Sequence, residues 1–181
     1  FVALWQGRLE SDRFNALVVH GGLNWRQITV LRAYATYLRQ TATSFTPAYI
    51  ADVLNSHTHI ARLLVRLFES RFDPQLDEGR AELCEGITEE ILGELDQVDN
   101  LDADRILRFF LAAIGATLRT NYFQDGGTKP YLVYKLDPGR IPDMPQPRPK
   151  LETFVYSPRV EGVHLRFGTV ARGGLRWSDR I

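Results

Sequence analysis

The hydrophobic period changes once along this chain of 181 residues, and that change limits what it can fold into. Through residues 24–124 apolar side chains recur at helical spacing. Ile60, Leu63, Leu64, Leu67 and Phe68 follow i, i+3, i+4, i+7, i+8, which puts all five on one face of a helix with 3.6 residues per turn. Beyond about residue 128 the period falls to two. Val163, Leu165 and Phe167 alternate with Gly162, His164, Arg166 and Gly168, the mark of a strand with one buried face. Helices first and strands afterwards point to an α+β chain, with a multi-helix N-terminal part followed by a small β-sheet. The expected division is a helical region over 1–128 and a sheet-bearing region over 129–181.

Local signals place the element ends. Asn24 with Gln27 three positions on resembles a capping box, and Trp25, Ile28, Leu31, Ala35 and Leu38 continue as one stripe. Thr46-Pro47 is a second start, because proline's missing N–H would have no helical partner at that position. Asp73-Pro74 stops the helix that carries the 60–68 stripe. Leu83, Ile87, Ile91 and Leu95 sit four apart on the next helix and leave Glu85, Glu89, Glu90 and Glu94 for water. Asp102 is the expected cap of a last helix, with Leu101 and Ile106 as a staple, running through Phe109, Phe110, Ile114 and Leu118 towards Gly126-Gly127. Strands are expected at 131–136 and 151–156, separated by the turn Asp137-Pro138-Gly139 and a proline-rich crossing segment.

Charge is balanced overall, 22 basic against 22 acidic side chains, which argues against a nucleic-acid or membrane-surface partner. The balance hides a partition: residues 73–104 hold twelve acidic side chains and one basic one, Arg80. Such a run is expected to be a solvated helix face. One cysteine, Cys84, excludes an internal disulfide and fits a cytoplasmic setting. The longest apolar run, 109–116, is far short of the ~18–20 residues that span a bilayer. His57 and His59 cannot share a helical face, and His20 and His164 are isolated, so no metal site is expected. The chain starts at Phe1 and stops just after an Arg- and Gly-rich stretch, as a piece of a longer polypeptide would.

That stretch is where chemistry is expected. A strand runs directly into Arg172-Gly173-Gly174-Leu175-Arg176. Glycines let a ligand approach backbone amides closely, and a neighbouring guanidinium offers a forked donor to a carboxylate or phosphate. Spacing alone leaves two readings open, an anion cradle or a tight turn after an edge strand.

The segments 162–167 and 171–180 resemble the large NAD-dependent glutamate dehydrogenases of bacteria. The resemblance extends to Phe14-Asn15, residues 22–27, Leu31-Arg32-Ala33-Tyr34, Tyr37-Leu38-Arg39-Gln40, Asn121-Tyr122-Phe123 and Lys129-Pro130-Tyr131. It implies the helical stretch leading into the catalytic region, then the first strands of the glutamate-binding domain. Smaller relatives carry a lysine-glycine-glycine-hydrophobic-arginine motif whose lysine and glycine amides meet the substrate's side-chain carboxylate. By that resemblance Arg172, Gly173 and Gly174 bind substrate, with arginine in the lysine's place, and Arg176 supports the loop. The implied parent is a homo-oligomer that uses NAD to deaminate L-glutamate to 2-oxoglutarate. Its catalytic lysine and acidic proton-transfer group are expected outside this chain. No G-x-G-x-x-G follows a strand here, so NAD is expected to bind elsewhere in the parent, and the chain alone is expected to be inactive. The alternative expectation is a non-catalytic helical interaction or regulatory segment whose Gly-Gly loop is only structural.

Overall fold

Asn24 opens the central helix. Its side chain accepts hydrogen bonds from the amides of Arg26 and Gln27, while the Gln27 side chain accepts from the Asn24 amide, closing the capping box. The computed structural model describes residues 2–39, 41, 44–127 and 129–168. Among them the helices are α1 (Val2–Trp5), α2 (Leu17–His20), α3 (Trp25–Leu38), α4 (Pro47–Ser56), α5 (Thr58–Phe72), α6 (Arg80–Leu95) and α7 (Leu101–Ala116). Strands β1 (Thr117–Thr120), β2 (Leu132–Leu136), β3 (Leu151–Tyr156) and β4 (Glu161–Arg166) follow as one antiparallel sheet in the order β1-β2-β3-β4. The fold class is α+β, as the change of period requires. No helix among the described residues is long and apolar enough to cross a membrane.

α3 is buried around most of its circumference, not along a single stripe. Nine of its fourteen residues are buried, including Val30, Arg32, Ala33, Tyr34 and Tyr37 off the stripe, because the helix is covered by other helices and also by the sheet. Aromatic rings join these layers. Tyr34 stacks on Tyr134 of β2 at 4.5 Å with planes 8° apart. Phe68 of α5 meets Tyr34, Tyr122 and Tyr134 edge-on at 5.2–6.1 Å. β2 and β3 bury alternate residues, Leu132, Tyr134 and Leu136 opposite Tyr156, Phe154 and Glu152, so one face of the sheet lies on the helices. Ile141 and Met144 pin the proline-rich crossing segment to the same core.

Several ends differ from the expected ones. The break between α4 and α5 falls at His57, whose backbone (φ −121°, ψ 54°) is not helical, while other ends move. The cap of α7 is Asn100, not Asp102: Asn100 accepts from the Ala103 amide, which leaves Asp102 and Asp104 in the first turn, where the helix dipole favours them. α7 ends at Ala116 rather than near Gly126. Thr117 turns the backbone extended while its hydroxyl donates to the Ala113 carbonyl, and β1 forms where the helical stripe had seemed to continue. β4 stops at Arg166, and Phe167 is half exposed, so it is not part of the buried face.

Candidate functional site

Arg172, Gly173, Gly174 and Arg176 lie outside the described residues; their footing lies within them. β4 pairs with β3 over six residues, from Tyr156↔Glu161 to Leu151↔Arg166. The Lys150 amide carries the ladder one step further, donating to the Arg166 carbonyl at 2.7 Å. β3 is in turn fixed from beneath. Phe154 packs on Tyr37 at 5.4 Å, and the Tyr37 hydroxyl donates to the fully buried Glu152 carboxylate. A buried carboxylate without a donor would be costly, so this bond ties α3 to the strand beside β4. At the end of the ladder the Arg166 Nε donates to the Gly168 carbonyl at 3.2 Å.

Three of the resembling segments, far apart in sequence, converge at one place. Arg26, in the first turn of α3, donates to the Tyr122 carbonyl at 2.6 Å and lies over the Tyr122 ring at 4.5 Å. Its guanidinium occupies the space a Cβ on Gly127 would need, and Gly127 also has a positive φ of 79°, so only glycine fits there. Glu69 of α5 accepts from the Gln27 amide nitrogen at 3.2 Å and from the Tyr122 hydroxyl at 3.0 Å. Asn121 donates to the Tyr131 carbonyl and accepts from the Val133 amide, holding the start of β2.

Beside these contacts lies a cleft lined by Arg8, Trp25, Arg26, Tyr122, Lys129, Tyr131 and Tyr156 among others. Four aromatic rings and three cations stand in its lining, with no carboxylate. Burial pushes the Tyr122 phenol up, reinforced by the Glu69 carboxylate, and burial likewise pushes Tyr156 up against the opposing pull of Arg32. Both are therefore hydroxyl donors at neutral pH. Arg8, after α1, and Tyr156, at the end of β3, could not be linked to this cleft by sequence, because only folding brings them to α3. Among the described residues no cluster of His, Cys, Asp and Glu could hold a metal. Cys84 is half-buried against the core, and His59 sits 3.7 Å from both Glu90 and Glu94 on α6.

Residues 90–181 match the bacterial NAD-glutamate dehydrogenase catalytic domain, and the chain belongs to that family. Residues 9–74 match the glutamate dehydrogenase helical motif 3. The chain is 52% identical to the NAD-specific glutamate dehydrogenase of Pseudomonas aeruginosa, over 99% of this chain and 12% of that protein. It is 50% identical to the same-named protein of Mycobacterium tuberculosis, over 98% of this chain and 11% of that protein. The Neurospora crassa NAD-specific glutamate dehydrogenase is 28% identical over 97% of the chain and 17% of its own length. The chain thus spans about a tenth of the bacterial relatives it matches.

Proposed function

We propose that the protein carrying this chain is an NAD-dependent glutamate dehydrogenase that converts L-glutamate to 2-oxoglutarate and ammonia. The observation that carries this reading is the catalytic-domain match over 90–181, joined to half-identity with NAD-specific glutamate dehydrogenases over nearly the whole chain. In this reading the helices lead into the glutamate-binding domain, and β1 at Thr117–Thr120 together with residues 129–181 supplies its first strands. Arg172 and the amides of Gly173 and Gly174 hold the substrate's side-chain carboxylate by charge-assisted hydrogen bonds, and Arg176 braces the loop. The described residues contribute rigidity: α3, Tyr37, Glu152 and β3 fix the strand that leads to these groups. A preorganised donor set loses less entropy when it binds.

The described residues do not fit a dinucleotide. Their sheet is antiparallel, and none of its strands runs into a G-x-G-x-x-G helix, whereas dinucleotide sites lie at the carboxyl ends of parallel strands. This supports placing NAD, and the groups that act on the reacting carbon, elsewhere in the parent polypeptide. The test is an assay of NAD reduction with L-glutamate by the complete protein and by residues 1–181. The expected result is activity in the first and none in the second. A complete protein that leaves NAD untouched with glutamate would overturn the reading in favour of a non-catalytic helical segment.

A further inference from the structure

Three arginines of this fold pair with carboxylates. Arg13 pairs with Asp52, Arg32 with Asp12, and Arg108 with Asp104 and Asp96. Three others share one cleft. Arg71 in the last turn of α5, Arg80 at the first residue of α6 and Arg119 on edge strand β1 line an open cleft of about 450 Å³ with Phe72, Thr117, Leu118 and Thr120. No acidic side chain lines it.

Two of the three cations, Arg71 and Arg80, are held by backbone carbonyls, not by counter-charges. Arg80 donates through Nε to the Leu76 carbonyl and through Nη2 to the carbonyls of Asp73 and Leu76, which fixes its guanidinium in place. Arg71 lies over the Phe72 ring at 5.6 Å and reaches the Gly115 and Thr117 carbonyls only at 3.3 and 3.4 Å. Its buried Nε has no hydrogen-bond partner, and Arg119 is exposed without an ion-pair partner. Three like charges around one concavity repel one another and concentrate a positive potential there. An underused buried donor adds to the cost. The repulsion falls when an anion enters. The Thr120 hydroxyl accepts from the Tyr122 amide and keeps its own proton for a further acceptor.

The geometry points to a binding site for a small oxyanion of the phosphate class, free or carried on a small molecule, in the cleft of Arg71, Arg80 and Arg119. Its charge answers three guanidiniums, and its several oxygens can accept from Arg119 and from the N–H groups of Arg71 and Arg80 that the backbone does not use. The site stands independently of the dehydrogenase reading. Its place at the junction of α5, α6 and β1 means that occupancy would brace the acidic helix against the sheet edge.

The test is a titration of residues 1–181 with inorganic phosphate at physiological salt, following the arginine Nε–H resonances by NMR, with acetate as the carboxylate arm. Saturable shifts confined to Arg71, Arg80 and Arg119, with millimolar or tighter affinity for phosphate and weaker binding of acetate, are expected. Arg119→Ala, at an exposed position, should weaken phosphate binding about tenfold. Arg62→Ala, exposed on α5 and outside the cleft, should leave it unchanged. Linear shifts shared by all exposed arginines, acetate binding as well as phosphate, or an Arg119→Ala chain that binds like the parent would overturn the assignment.

Discussion

The Tyr37 hydroxyl donates to the Glu152 carboxylate across 115 positions of sequence, joining the central helix to the strand beside β4. Both side chains are buried, so the bond operates without competing water. Tyr34, three residues earlier on the same helix, shares a hydrogen bond with Thr117 at 2.8 Å, where α7 gives way to β1. One helix thus grips both halves of the sheet. Tyr37→Phe, which keeps the ring and removes only the donor, should cost about 1.5–3 kcal/mol. Urea unfolding of residues 1–181 measures this, and a loss below about 0.5 kcal/mol would show that the bond contributes little.

Phe68 touches Tyr34, Phe72, Tyr122 and Tyr134 and is fully buried. Phe68→Ala should therefore open a cavity among rings that cannot all collapse into it, at a cost of about 3–5 kcal/mol. Phe68→Leu should retain a good part of that stability. Thermal unfolding of the two variants separates the cases, since equal losses would point to specific ring geometry rather than lost volume.

Asp12 holds two groups at once. Its carboxylate takes the Arg32 Nε and Nη2 at 2.7 and 2.6 Å, and it accepts from the Phe14 amide. The Arg32 side chain is only 3% exposed, so removing Asp12 strands a buried cation with the more distant Glu10 at 3.3 Å. Asp12→Ala should cost about 3 kcal/mol, and Arg32→Met less, because the second change removes the charge instead of isolating it. The order of the two urea midpoints decides the matter.

Four tyrosines, Tyr34, Tyr122, Tyr134 and Tyr156, have phenols raised above their ordinary value, in each case chiefly by burial. Their unfolded value is about 10. A folded value above that means the protonated phenol favours the fold. The contribution is fully present below pH ~10 and is lost as pH rises through the higher folded values. Absorbance at 295 nm should show fewer tyrosines ionised near pH 11 in the folded chain than in guanidinium, followed by unfolding at higher pH. Identical titration curves in the two solvents would contradict the burial.

Sequence made the local devices legible because each is contained in a few adjacent residues. The Asn24–Gln27 box, the Thr46 cap on Tyr49 and the stop at Asp73 are all present in the fold. β1 escaped notice because Leu118 prolongs the apolar spacing of α7, and only tertiary pairing of Thr117 with Leu136 reveals the strand. The α7 cap was misplaced by two residues because Asn100 and Asp102 are both good caps, and the register of the packed face decides between them. The aromatic cleft and the arginine cleft are each assembled from segments brought together by folding, and no periodicity in one segment reports on another. The Arg-Gly-Gly motif was legible as a motif, and its role is a matter for kinetics.

The most direct test is therefore Arg172→Ala in the complete enzyme, with glutamate and NAD varied in turn. If Arg172 holds the substrate's side-chain carboxylate, the KM for glutamate rises about tenfold or more, or kcat/KM falls by as much, while the KM for NAD stays within about twofold. Unchanged glutamate kinetics, or an equal loss for both substrates, would contradict the account.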